Sequence, residues 1–241
     1  MQLVIDVGNT RVKAAVFESD VMLSKRIFLL SDFEAEITQF ANSYQIKKAI
    51  VSSVGRLSDA KLALVTSLYN TVFLSHKTPL PFTNDYKTPE TLGVDRIALV
   101  AAFVRQYPGK NGLIIDAGTC ITFDFIDFEA SYKGGSISPG LRLRYESLHN
   151  LTANLPLLEK SMPDNIIGGS TETAIHSGVV NGVLKEIEGV INEYRAQYFN
   201  DVVIITGGDA QFLAERLKNS IFANSNFLLE GLNFILTYSN D

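Results

Sequence analysis

Apolar residues fall in short runs along this chain, and two of the runs are interrupted in the same way. Residues 3–17 read LVIDVGNTRVKAAVF, an apolar stretch that stops at Asp6, turns through glycine and polar residues, and resumes. Residues 113–126, LIIDAGTCITFDFI, repeat the pattern. Each predicts two strands joined by a tight turn, and a third strand is expected near residues 21–29. SDFEAEITQFANSY, residues 31–44, has a Ser or Asp cap and helical apolar spacing. KKAIVSSV (47–54) then reads as a strand, SDAKLALVTSLY (58–69) as a helix and NTVFLS (70–75) as a strand. Residues 77–92 hold three prolines and few apolar residues, which predicts a loop, and GVDRIALVAAFVRQY (93–107) a helix.

The second half restarts with the strand pair at 113–127. GGSISPGLRLRYESLHNLTANLP (134–156) predicts a glycine-rich turn running into a helix. In residues 170–199, Ala174, Ile175, Val179, Val183, Leu184, Ile187 and Ile191 recur at spacings of three and four, so one long amphipathic helix is expected. DVVIITGGDAQFLAERL (201–217) reads as strand, glycine turn and helix. Strands alternating with helices imply an α/β fold with a mostly parallel sheet. Because the order recurs, the expectation is a duplicated domain, 1–110 and 111–241, with its seam near 108–112 and closely packed halves.

Composition narrows the class. The 241 residues are 46% hydrophobic and 20% charged, with net charge −5 and no basic stripe. That argues against nucleic acid or an anionic membrane as the main partner. No apolar run is long enough to span a bilayer, and no leader is evident. Cys120 is the single cysteine, which excludes an intrachain disulfide and fits a reducing, cytoplasmic interior.

The interrupted runs carry the candidate chemistry. Aligned, Asp6-Val-Gly-Asn-Thr10 stands against Asp116-Ala-Gly-Thr-Cys120. A glycine two residues after a strand-ending acid lets the backbone turn tightly and present N–H groups to a phosphate, while the acid holds a cation or its waters. Turn geometry alone would explain one such hairpin; two copies favour a phosphate-and-metal cradle. TGGD (206–209) is either a passage beneath a nucleoside or a turn with an Asp cap. Asp95 and Arg96 follow Gly93 at a helix start, where an acid suits either proton abstraction or simply the helix dipole. The proline-rich loop ahead of them, with Tyr86, reads as a substrate lid. P-loop, Rossmann and zinc signatures are absent.

These stretches together, IDVGNTRVK, VSSV, DYKTPETLGVDR, DAGTCITFD, GGSISPGL, STETAIHSG and TGGDA, resemble the type III pantothenate kinase family over essentially the whole chain. The resemblance implies the duplicated actin-like ATPase fold of acetate kinase, sugar kinases, Hsp70 and actin, two similar subdomains around a nucleotide cleft. It implies ATP-dependent phosphorylation of pantothenate, the first step of coenzyme A synthesis. Asp6, Val7, Gly8, Asn9, Thr10, Arg11, Val12 and Lys13 would form one phosphate-binding segment, and Gly118 and Thr119 another. Asp95 would be the general base, with Tyr86, Gly93, Val94, Asp95, Arg96 and Thr171 lining the pantothenate site. Asp116 would bind a monovalent cation, potassium or ammonium, and Asp6 would stand near magnesium through water. Members are homodimers whose substrate site is completed across the interface, so Thr171 would serve the partner's substrate. The apolar face of the 174–191 helix is then a candidate dimer surface, although core packing explains it equally well. Departures from the usual pattern are Val94, Cys120 and Ser170. A non-catalytic transcriptional relative and another small-molecule kinase or hydrolase are the competing readings; retention of Lys13, Asp95 and Asp116 argues against the first.

Overall fold

A computed structural model of the chain describes residues 1–53, 57–198, 202–219 and 221–239. Val54 at the end of VSSV, Phe199 at the end of the long helical stretch, and Asp201 lie outside them. The strands are β1 (Gln2–Val7), β2 (Val12–Glu18), β3 (Val21–Phe28), β4 (Lys48–Ser53), β5 (Asn70–Phe73), β6 (Thr83–Asn84), β7 (Gly112–Ala117), β8 (Cys120–Ile126), β9 (Ser131–Pro139), β10 (Val202–Thr206) and β11 (Phe222–Ala223). The helices are α1 (Phe33–Ser43), α2 (Asp59–Leu68), α3 (Val94–Gln106), α4 (Leu141–Asn150), α5 (Thr171–His176), α6 (Gly182–Tyr198), α7 (Ala210–Ala214) and α8 (Phe227–Tyr238).

The chain divides into two compact units. The first comprises Met1–Pro108, Ala130–Tyr132 and Asn226–Asp241, the second Gly109–Glu129 and Lys133–Ser225. In the first, the strand order is β3-β2-β1-β4-β5. β1, β2 and β3 form an antiparallel meander, and β4 and β5 extend the sheet in parallel from β1. In the second, the order β9-β8-β7-β10-β11 reproduces it, with β7 antiparallel to β8 and parallel to β10. The central strands are apolar on both faces because helices cover them. Leu3, Ile5 and Val7 pack with Phe33, Ile37 and Phe40 in one core; Leu113, Ile115 and Val203 pack with Val183 and Ile187 in the other.

The structure departs from the sequence reading at several elements. Within the 77–92 loop, β6 pairs with Ser131 and Tyr132, and Pro89–Thr91 forms a 3₁₀ turn. Residues 134–139 lie in β9 rather than in a turn: pairing beside β8 overrides the poor strand propensity of the glycines. The long helix is interrupted by a π-helical turn, Ser177–Asn181. There the Ser177 hydroxyl donates to the Ile166 carbonyl and Asn181 Nδ2 donates to Ser177 Oγ at 3.1 Å, so polar bonds compete with the regular ladder. Its apolar residues, apart from exposed Ala174, are buried in the second unit's core, so this face is core and not a dimer surface. Asp32 sits at the N-cap of α1 without a side-chain cap bond, whereas Ser170 and Thr173 form a reciprocal capping box on α5.

The last helix, α8, has no counterpart in the sequence reading, and it belongs to the first unit. Phe227, Leu228, Leu229, Leu232, Ile235 and Leu236 are buried along it. Lys25 donates to Asn226 Oδ1 (2.7 Å) and Asn233 donates to the Ser19 carbonyl (2.9 Å), tying its start and middle to the β2–β3 hairpin region. A Cβ at Gly231 would stand 1.9 Å from the Ala98 carbonyl oxygen, so α8 lies directly on α3. Gly231→Ala is expected to lower unfolding free energy by about 1–3 kcal/mol through overpacking. Gly189→Ala, on the exposed part of α6 with nothing within 4 Å, is expected to raise it by up to about 1 kcal/mol. Urea unfolding of the two variants checks the pair.

Candidate active site

β1 ends the first apolar run with Asp6 one residue from its end, 5% exposed. Register places Lys13 of β2 and Ser52 of β4 opposite it. The turn closes with Gly8 N–H donating to the Arg11 carbonyl at 3.1 Å, leaving Asn9, Thr10 and Arg11 exposed. Val7 and Val12 are buried, so these two offer a ligand only backbone atoms. Burial pushes the Asp6 carboxyl up from 3.8 to about 6; Lys13 opposes this, Asp95 adds to it, and Ser52 lowers it slightly. The Ser52 hydroxyl falls short of hydrogen-bond geometry with any described group, so its effect is a weak dipolar one. The Asp95 effect matters most for function, because it brings the carboxylate expected to act as a base into the electrostatic environment of the first turn.

Asp95 sits in the first turn of α3, whose N-cap is Gly93. Its Oδ1 accepts the Arg96 backbone N–H at 2.8 Å. A side chain at residue 93 would meet that oxygen at 2.4 Å, so glycine there lets the carboxylate fold back over the helix start. The Arg96 guanidinium, 4% exposed, lies 5.7 Å over the Tyr86 ring. Tyr86 in turn stacks on fully buried Tyr132 at 6.1 Å, and Phe82 meets Tyr132 edge-on at 6.3 Å. The loop residue Tyr86 is thus mounted on a rigid aromatic column. Half-buried Val94 lies between Gly93 and Asp95 as expected.

In the second unit, Asp116 takes the position in β7 that Asp6 takes in β1, with Thr122 and Thr206 opposite it. The turn is shorter, however: residues 118–119 replace residues 8–11, so Thr10 and Cys120 are not equivalent as the alignment implied. Gly118 N–H donates to the Cys120 carbonyl at 2.9 Å and Thr119 is exposed. Two backbone segments press on this turn. Gly140 N–H donates to the Thr119 carbonyl at 3.0 Å, and a Cβ there would lie 2.2 Å from the Gly118 oxygen. Gly207, at φ +97°, would carry a Cβ 2.4 Å from both the Ala117 oxygen and Asp116 Oδ1. Sequence reasoning missed Gly140 and Gly207 as site-building residues, though SPGL and TGGD held the signal. Asp209 makes no cap bond to α7; its carboxylate pairs with Lys160 and its N–H donates to the Ala117 carbonyl at 2.9 Å. Thr171 stands apart as the exposed first residue of α5. Its neighbours Glu172 and Thr173, with Lys160 and His176, line a cavity of about 520 Å³. His176 is ordinary buried structure, bonded through Nδ1 to the Tyr145 hydroxyl at 2.8 Å.

The donor chemistry is that of hard cations. No cluster of three His, Cys, Asp or Glu ligands occurs among the described residues, so a divalent ion here would draw on one or two carboxylates, water and phosphate oxygens, the usual habit of Mg²⁺.

A repeated sheet, with a strand-ending acid in each copy and glycine turns beside it, is the duplicated α/β fold of the sugar-kinase and actin-like ATPase class. The chain belongs to the type III pantothenate kinase family, whose model matches residues 2–193. Proteins named type III pantothenate kinase are 51% identical in Flavobacterium johnsoniae, over 100% of this chain and 99% of the relative, and 52% identical in Christiangramia forsetii, over 99% of each. Among solved structures, a Campylobacter jejuni protein described as a Baf family transcriptional activator aligns at TM-score 0.65 and 22% identity, covering 99% of this chain and 98% of that one. A ROK family glucokinase from Streptomyces griseus in complex with glucose and AMPPNP aligns at TM-score 0.53 and 11% identity, covering 98% of each. At these identities the likeness is one of fold. Among the described residues no helix is long and apolar enough to cross a membrane.

Because the folded Asp6 carboxyl titrates near 6 and the unfolded one near 3.8, the native state holds the extra proton between those values. Stability therefore falls as pH rises through that window and stays lowered above it. Asp6→Asn, which never ionises, is expected to gain about 3 kcal/mol relative to the parent protein between pH 3.5 and pH 7. Urea titrations in the presence of a chelator, run at both pH values, measure the difference.

Proposed function

We propose that the protein transfers the γ-phosphoryl group of ATP to the terminal hydroxyl of pantothenate, with Asp95 as general base. The observation carrying this is the Asp95 carboxylate at the head of α3, in electrostatic contact with Asp6 and beside the Arg96–Tyr86 pair. With Oδ1 engaged by the Arg96 amide, Oδ2 takes the hydroxyl proton as the pantothenate oxygen bonds to the γ-phosphorus and the bond to ADP breaks. Arg96, braced on Tyr86, supplies a planar cation suited to the pantothenate carboxylate. The first turn, Asp6 to Lys13, offers phosphate its exposed donors and the Lys13 ammonium; Gly118 and Thr119 offer theirs in the second unit.

Asp6 would hold Mg²⁺ through water, and bound Mg²⁺ would neutralise phosphate charge. Asp116, beside the backbone oxygens of the second turn, has the all-oxygen character that suits a monovalent cation, potassium or ammonium. Thr171 serves pantothenate from a homodimer partner. Support for association comes from Leu151, Leu157, Ile166 and Ile167, which are 56% to 84% exposed in the segment leading to α5. The protein is proposed to work in the cytoplasm. A regulatory role is disfavoured because the chain keeps Lys13, Asp95 and Asp116, which a regulator could lose.

An ADP-release assay with Mg-ATP and pantothenate tests this reading. Turnover is expected to require pantothenate and to fall when sodium replaces potassium. Asp95→Asn is expected to lower kcat by roughly a hundred- to ten-thousand-fold, with ATP binding retained. Parental turnover in that variant would remove Asp95 from the base role.

A further inference from the structure

Gly118 and Thr119 leave few side-chain groups to hold their turn in place, and besides the backbone at Gly207 the segment at residues 138–140 lies against it. Gly140 lies against both carbonyls of the turn: its N–H donates to the Thr119 oxygen, and a Cβ there would stand 2.2 and 2.5 Å from the Gly118 and Thr119 oxygens. Any movement of residues 138–140 is therefore transmitted to the turn by hard contact. The segment is the end of β9, and two of its residues lack groups that could fix it further. Pro139 has no N–H to donate, and Gly140 is an N-cap for α4 without a capping side chain.

One side chain supplies what these residues lack. Arg144 lies in the first turn of α4, its N–H donating to the Gly140 carbonyl at 3.1 Å. Its side chain runs back toward the helix start, as helical side chains do. Nε donates to the Pro139 carbonyl at 2.8 Å and Nη2 donates to Ser138 Oγ at 3.0 Å. The same Nη2 pairs with Glu186 of α6, and both side chains are about three-quarters shielded (24% and 28% exposed). Glu186 thus fixes the guanidinium, the guanidinium fixes residues 138 and 139, and Gly140 carries that position to the second turn.

We propose that Arg144, oriented by Glu186, is a positioning residue for nucleotide binding: it sets the Gly118–Thr119 turn at the spacing that ATP phosphates require. This rests on the reading of that turn as a phosphate contact. A guanidinium is needed because its planar fork reaches two acceptors on the segment and a carboxylate on α6 at once; an ammonium presents one point charge without that fixed spread.

Steady-state kinetics of the full chain, varying ATP and pantothenate separately, test it with Arg144→Ala, Arg144→Lys, Glu186→Ala and Thr119→Ala. Arg144→Ala is expected to raise KM for ATP by about tenfold, the loss typical of removing an outer support from a site, with KM for pantothenate unchanged. Glu186→Ala is expected to shift the same constant by less, and Arg144→Lys to recover only part of the loss. A fall in kcat with both KM values unchanged would mean fewer folded molecules and would overturn the proposal. So would a raised ATP KM in Arg144→Ala but not in Glu186→Ala, since Arg144 would then touch phosphate itself. If Arg144→Ala does not fold, Arg144→Lys and Glu186→Ala carry the same comparison. An unchanged ATP KM in Thr119→Ala sinks the phosphate reading of the turn; a shift there without one at Arg144 sinks only the positioning role.

Discussion

Placing a carboxylate inside an apolar sheet is costly unless positive charge lies near it. Asp6 is in that position, and much around the first turn is arranged as a response to it. Lys13 stands opposite in register because β1 and β2 are antiparallel across a turn of the length found here. Asp95 reaches the same neighbourhood because α3 starts at a glycine over which a carboxylate can fold. Burial, with the Asp95 carboxylate adding to it, raises the cost of ionising Asp6, and Lys13 only partly offsets it. Neutralising positive charge brought close to Asp6 would relieve this cost.

The duplicated sheets make the same offer in different ways. Their strand orders coincide, and Asp6 and Asp116 hold corresponding places. In the first unit the turn is longer and exposed, with Lys13 opposite Asp6 in register. In the second unit the turn is two residues shorter and presses against Gly140 and Gly207, and Arg144 bonds the residues just before Gly140. Similar architecture thus carries two turns of different length and packing.

Much of this was legible from residue patterns. Both hairpins, the helix carrying Asp95 and Arg96, and the placement of an acid one residue from the end of each apolar strand follow from period, glycine placement and charge. What was not legible depended on contacts distant in sequence. β9 looks like a turn because its glycines lack strand propensity, and only pairing with β8 makes it a strand. The interruption at Ser177 comes from a hydroxyl reaching the carbonyl of Ile166, which no helical periodicity encodes. The apolar face of α5 and α6 looked free to bind another subunit because periodicity cannot say which neighbour covers it. The Tyr132 column beneath Tyr86 joins residues from separate segments, and its role in mounting Arg96 follows only from the fold.

The position of α8 has a consequence for how the chain comes into being. The helix that completes the first unit's packing, lying on α3 and bonded to Ser19 and Lys25, is specified by residues that follow the entire second unit. As the polypeptide leaves the ribosome, the β1–β5 sheet and α3 emerge early but lack the surface that covers them, while the second unit emerges with all its own elements. The half bearing Asp95 therefore waits on the other half's synthesis. The cover for the face of α3 that α8 packs on is supplied only after the second unit has been translated.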